Sequence, residues 1–346
     1  MDRFAAAVLL LVALLPGMAL GDDADMRQLG EDAANYAMSE LGFEKGDLNV
    51  LAITNAGYAV VDGQTTDICL DAIMEVAGCT PGRHNLVNVQ NAPWKTLWFG
   101  FFNKETGYAV YMKANEDATG FEIQEKERID ADYVLDNVDS WVPGVFGHML
   151  PIANIWAHEN TPYIFMRAVD LHNHLCPGVS SGFLEAKYVE KELPIEDPLN
   201  QSYKVISCPC WCKEDAFQVM WDATPGKRGM YVKHISEVER VGLRDKYGGI
   251  DVAGIFIRWD GSTNTGDGLV LGFNWTKAQD LSNADTWPSW AYRLKEDEIL
   301  MDSAKTPEDF VSTIMEFHLY NVDELQALEG AGLNPLKVLG VENGGH

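Results

Sequence analysis

One hydrophobic pattern occurs twice along the chain. Residues 71–83 (DAIMEVAGCTPGR) align without gaps on residues 215–227 (DAFQVMWDATPGK). In both, an Asp-Ala pair opens a short segment with apolar residues at helical spacing, Ile73, Val76 and Ala77 in one and Phe217 and Met220 in the other, which predicts a helix. Thr-Pro-Gly stops it, because proline cannot continue a helix and glycine supplies the turn. The likeness extends in both directions. Residues 30–41 and 182–193 each predict an amphipathic helix, followed by a strand at 50–54 and at 204–207. Downstream, 97–102 and 108–112 flank the turn Asn103–Gly107, a hairpin signal. Its counterpart is 254–259, a longer Gly/Ser/Asn/Asp turn, and 269–275. Each half thus reads helix, strand, helix, then antiparallel strands. The expected fold is α+β: two related modules, each an antiparallel or mixed sheet with helices packed on it, arranged as a pseudo-dimer. Pro143-Gly144, Pro151 and Pro162 break the pattern, which sets the first module at 22–145 and the second at 146–346. The end of the chain predicts helices, one starting at Thr306-Pro307-Glu308, with Phe310, Ile314 and Phe317 keeping the period.

Residues 1–21 stand outside this scheme. Arg3 gives a positive start, Phe4 to Leu15 an apolar run, and Ala19-x-Gly21 small residues for cleavage, the pattern of a secretory signal. The run is shorter than the roughly 20 residues a membrane span needs, no later stretch is long and apolar enough, and no cysteine follows for lipid attachment. The expectation is a secreted or cell-surface protein. Its 346 residues, at roughly 100–200 per domain, fit two domains. Asp and Glu number 52 against 26 Lys and Arg, a net charge of −26, which excludes a nucleic-acid binder built on a basic surface and leaves no polybasic stretch for anionic lipid. At 47% hydrophobic residues the chain is no disordered acidic polymer. The carboxylates read as a solvated coat.

Two cysteine-bearing runs carry the candidate chemistry. In Asp170-Leu-His-Asn-His-Leu-Cys-Pro-Gly178, the side chains of His172, His174 and Cys176 alternate, so an extended segment projects all three to one face. Pro177 biases Cys176 away from helical geometry. Gly178 then turns the chain into the helix near Gly182, leaving Cys176 before a helix N-terminus, where thiolate is favoured. In Cys208-Pro-Cys210-Trp-Cys212 the same alternation puts three sulfurs on one side, just ahead of the Asp215 helix. Imidazole plus thiolate suits zinc, with nickel, cobalt, copper or iron as alternatives. Disulfides compete, since six cysteines form an even set and secretion permits pairing. A thiol-redox site is a third use, although no Cys-x-x-Cys pair occurs. Cys69 and Cys79 read as buried small hydrophobes, a disulfide or second-site ligands. His84, His148, His158, His234 and His318 have no motif context and read as structural. Asn274-Trp275-Thr276 fits a glycosylation acceptor, and the aromatic run 94–102 reads as sheet core. No dinucleotide or phosphate loop, nucleophile elbow or haem attachment motif is present in the sequence.

Together these features resemble the FmdE-like family, whose name comes from formylmethanofuran dehydrogenase. The carrying residues are His174-Leu-Cys176-Pro177-Gly178 with its following helix, the repeated element at 71–83 and 215–227, and the hairpin Phe101 to Val110. The resemblance covers most of the chain after residue 21 as two tandem modules. It implies an α+β fold, often dimeric, and a transition metal, zinc foremost, held through the His and Cys of that element; it implies no particular reaction. By position it makes His174 and Cys176 the metal ligands, joined by Cys212 and Cys79. The first module departs from the pattern, since the position matching Cys176 falls near Ala24, and the second has Ala223 where the first has Cys79. The expected site therefore lies in the second module, completed by Cys79 across the interface, with His172, His174, Cys176, Cys208, Cys210, Cys212 and Cys79 as the candidate set.

The leading functional expectation is a secreted metal-binding protein that captures, stores or delivers a metal or metallocofactor. Its partners would be a metal ion or metal-containing small molecule, with a cell-surface partner or a second copy of the chain as further candidates. A metal-dependent extracellular enzyme, with Asp170 or Asp215 as general base, and a disulfide-stabilised structural surface protein are the alternatives.

Overall fold

The helix, strand, helix and hairpin order is laid down twice in the structure. A computed structural model describes residues 23–158 and 161–341; the expected signal at 1–21 lies outside the described residues. The first module runs α1 (Asp23–Leu41), β1 (Val50–Thr54), a small hairpin β2 (Val60–Val61) and β3 (Gln64–Thr65), α2 (Ile68–Val76), β4 (Leu86–Asn88), β5 (Trp98–Asn103), β6 (Tyr108–Ala114) and β7 (Phe121–Arg128). Helices α3 (Ala131–Asp136), α4 (Met149–Ala157) and α5 (Tyr163–His172) follow. The second runs α6 (Pro177–Glu192), β8 (Gln201–Ser207), α7 (Glu214–Trp221), β9 (Met230–Val232), α8 (Glu237–Lys246), β10 (Asp251–Asp260), β11 (Thr265–Phe273), α9 (Trp275–Leu281), α10 (Ser289–Asp302), β12 (Val311–Leu319), α11 (Val322–Glu329) and α12 (Pro335–Val338).

The two five-stranded sheets share one topology. Their orders are β4-β1-β5-β6-β7 and, read in the matching sense, β9-β8-β10-β11-β12. In each, the first pair is parallel and the other pairs are antiparallel. The Pro-Gly elements form equivalent 3-10 turns, Pro81–Arg83 and Pro225–Lys227, each followed by a left-handed residue, His84 at φ 60° and Arg228 at φ 55°. Gly30 and Gly182 hold equivalent places as well. A Cβ on Gly30 would lie 2.8 Å from the Cα of Cys69, and one on Gly182 would lie 2.8 Å from the Cα of Lys213. The first helix of each module therefore crosses the second at backbone contact, which only glycine allows.

Strand alternation decides what each sheet face buries. Val50, Ala52, Phe99 and Phe101 pack with Met26, Leu29 and Ala33 of α1, whereas Leu51, Ile53, Trp98 and Phe102 face the opposite way, onto α4 and α5. That second cluster also takes in Val179, Phe183 and Ala216 of α6 and α7. The other flank of those two helices, with Leu184, Val189 and Phe217, covers the second sheet, whose far face packs on α11 and α12. Two like modules thus meet through unlike faces: the first offers the side of its sheet away from α1, the second its helices α6 and α7, with α4 and α5 packed into the same cluster.

Two expectations need correcting. The helix predicted from Thr306 is a strand: Pro307 begins only a 3-10 turn, Pro307–Asp309, and β12 pairs with β11 from Val311↔Phe273 to Leu319↔Gly266. The segment has β-branched residues at Val311, Thr313 and Ile314, and β11 has backbone groups in need of partners. The helix expected near Gly182 starts earlier, at Pro177.

Candidate metal centre

Three of the expected residues converge by a different route from the one their spacing suggests. No strand carries them. His172 is the last residue of α5, Asn173 turns the chain in the left-handed region at φ 74°, and Cys176 is the extended N-cap of α6 with Pro177 at its first position. A helix end, a left-handed turn and a helix start fold the segment back on itself, so His172, His174 and Cys176 face one point. The first module clamps this turn: the Gln90 N–H donates to the Asp170 carbonyl at 2.7 Å, and the Asn173 amide donates to the Gln90 carbonyl.

Cys212 supplies the fourth group. The ligand atoms of His172, His174, Cys176 and Cys212 all lie within 4.8 Å of one another, with His172 Nε2 3.9 Å from Cys176 Sγ. A tetrahedral zinc ion, with bonds of about 2.0–2.3 Å, sets its donors about 3.3–3.8 Å apart. The cluster fits such an ion with a small contraction, and the group could hold a metal ion. Asp215, in the first turn of α7, lies 2.7 Å from His172 Nδ1 and itself accepts from Gln218 Nε2 at 2.8 Å. It thereby fixes the ring so that Nε2 faces the sulfurs, the usual outer support of a metal-binding histidine. Gly178 gives the sulfurs room, because a Cβ there would lie 2.7 Å from Cys212 Cβ and 3.4 and 3.5 Å from the two Sγ atoms.

The protons are unevenly shared. Hydrogen bonds from Cys176 and His172 pull the Cys212 thiol down to about 4, and the hydrogen bond to Cys212, together with burial, pushes Cys176 well above the ordinary thiol range. Burial lowers His172, but its hydrogen bonds to Asp215 and Cys212 outweigh this and raise it to about 9. Burial and the neighbouring His172 lower His174. At neutral pH the metal-free cluster is therefore one thiolate, one thiol, one imidazolium and one neutral imidazole.

The remaining candidates lie elsewhere. Alternation fails in the 208–212 run because β8 ends at Ser207 and the chain turns before α7: Cys208 is buried and donates to the Ile206 carbonyl at 3.5 Å, Cys210 is exposed, and only Cys212 reaches the cluster. Cys79 is buried in the first module against the Val50 carbonyl, Sγ to O 3.7 Å, within the α1 and α2 core. What crosses the interface to the site is Gln90 instead. Burial raises both Cys79 and Cys208 to about 12, so they stay thiols. All six cysteines are unpaired. Asp170 turns to Arg167, and burial pushes it up to about 7.

A cavity of about 540 Å3 opens beside the cluster, walled by His174, Cys176 and Cys212 on one side and by Trp211, Trp275 and Arg293 among others. The sequence signals none of the last three, which come from three separate segments. No helix among the described residues is long and apolar enough to cross a membrane. A family model described as FmdE, Molybdenum formylmethanofuran dehydrogenase operon, matches residues 26–133 and 171–315. No curated protein matches the chain.

Proposed function

The chain belongs to the FmdE family, and from that premise and the four converging donors we propose that His172, His174, Cys176 and Cys212 bind one transition metal ion, zinc by preference, in a secreted metal-handling protein. The observation that carries this is the joint geometry of four donors within 4.8 Å and Asp215 on the outer nitrogen of His172. Two imidazoles and two thiolates form a donor set that suits zinc and neutralises a divalent cation. Secretion is supported by the charge pattern of residues 1–21 and by the acidic coat. The family contributes no reaction.

Handling is favoured over a purely structural role because His174 and Cys176 form the wall of an open cavity, where an incoming chelator or carrier molecule can reach the ion. The same exposure supports a metal-dependent enzyme as the second reading.

The test is elemental analysis with thiol counting on protein purified without reductant. About one zinc per chain is expected, lost in Cys176→Ser and Cys212→Ser and kept in Cys79→Ser and Cys210→Ser. Metal-free protein with Cys176 and Cys212 joined as a disulfide would overturn the reading. Exchange of the ion with a chelator while the fold persists separates handling from structural use.

A further inference from the structure

The cavity beside the cluster has features that holding a metal does not require. Three arginines, Arg240, Arg244 and Arg293, line it against two acids, Asp251 and Glu296, in a chain whose net charge is −26. A locally cationic recess on so acidic a molecule selects for anions, because low-dielectric walls focus the field of the few cations present. Arg240 and Arg244 are committed, lying 2.9 and 3.6 Å from Asp251. Arg293 is exposed and makes no hydrogen bond or ion pair among the described residues; its guanidinium lies over the Tyr292 ring, 6.0 Å from the centroid, and its charge reaches Glu296 and His174 through space alone. Opposite in character is Glu296, 3% exposed, whose Oε1 is buried without a hydrogen-bond partner. Such an orphan acceptor costs stability unless something else fills the role. Burial raises its carboxyl to about 7, so it can donate as well as accept. Trp211 and Trp275, edge to face with centroids 6.2 Å apart, give the cavity an aromatic corner.

We propose that this cavity binds a small aromatic carboxylate, its anion on Arg293, its ring against Trp211 and Trp275, and a polar substituent of the ring at Glu296. The planar guanidinium fork matches a carboxylate. With Arg240 and Arg244 held by Asp251, one uncommitted guanidinium remains, which matches a singly charged carboxylate better than a doubly charged phosphate. The ligand would stand beside the metal cluster, so the inference deepens the metal-handling reading and rests on it for the chemistry of that wall.

The test titrates zinc-loaded protein with benzoate, benzamide and acetate, following tryptophan emission and heat. Benzoate is expected to bind roughly tenfold more tightly than either of the others, since each lacks the ring or the charge. Arg293→Gln, an exposed change, should weaken benzoate by about tenfold and leave benzamide unchanged. Equal affinity for benzoate and benzamide, no binding by any probe, or an unaffected Arg293→Gln overturns the proposal. Metal content is measured on the same samples: protein that never carries metal yet takes benzoate in this way sinks the metal reading alone, and protein that carries metal but ignores benzoate sinks this inference alone.

Discussion

Asp215 decides which nitrogen of His172 faces the sulfurs through its 2.7 Å contact with Nδ1. Asp215→Asn should therefore leave the four donors in place and weaken zinc binding by about 10–100-fold, measured by competition with a calibrated chelator. Protonation gives an independent check at the same scale. A donor binds metal only after losing its proton. His172, held charged up to about 9, and Cys176, raised further, must each give one up at neutral pH, whereas Cys212, already a thiolate above about 4, and His174, lowered, give none. Log affinity should thus climb by about two for each pH unit between roughly pH 6 and 8; a flat profile would count against this ligand set. At this scale the sequence was informative but its geometry was not. Residue types at 172, 174, 176 and 212 announced a candidate metal site, yet period-two spacing described neither the helix end at His172 nor the turn that takes Cys208 and Cys210 away from Cys212.

At the scale of elements, the site depends on two helix starts being held together. Cys176 caps α6, and Cys212 and Asp215 flank the start of α7. Gly182 lets these helices touch, since a Cβ there would come within 2.3 Å of the Lys213 carbonyl oxygen. In an isolated helix Gly→Ala gains about 1 kcal/mol from propensity. Here overpacking outweighs it, and Gly182→Ala should destabilise the protein by a net amount on the order of 1–3 kcal/mol, seen in the urea midpoint, and weaken zinc binding by separating the helices. A stabilised variant would show that the crossing is looser than the structure has it. The repeat made these elements readable: helix, strand and hairpin patterns predicted β1, α2, β5 and β6 in the first module and β8, α7, β10 and β11 in the second. Strand β12 escaped because its apolar residues also satisfy a helical period, and pairing with β11 settles the matter only in three dimensions.

The whole molecule buries acids that its composition would place on the surface. Glu185, Glu296 and Asp297 are buried, and burial raises all three. For Glu296 the sign can be followed. An unfolded chain ionises glutamate near about pH 4.3, while the folded protein keeps this proton to about 7. Between those values the folded state binds more protons than the unfolded one, so this group's contribution to stability falls as pH rises and is level above about 7. Glu296→Gln should flatten that part of the decline in urea midpoint between pH 5 and 7; an unchanged slope would mean the carboxyl ionises normally.

The sequence by itself determined the α+β class, the tandem repeat, the family resemblance and the residue types of the candidate metal site, because each is written in local spacing: apolar period, Pro-Gly stops, a His-x-Cys-Pro-Gly run. Tertiary structure alone decided that the modules meet through unlike faces, that Gln90 rather than Cys79 reaches across to the site, and that Trp211, Trp275, Arg293 and Glu296 share one cavity with the cluster. Those facts join residues tens to more than a hundred positions apart. They follow from which faces the core buries, and no local pattern along a chain records that choice.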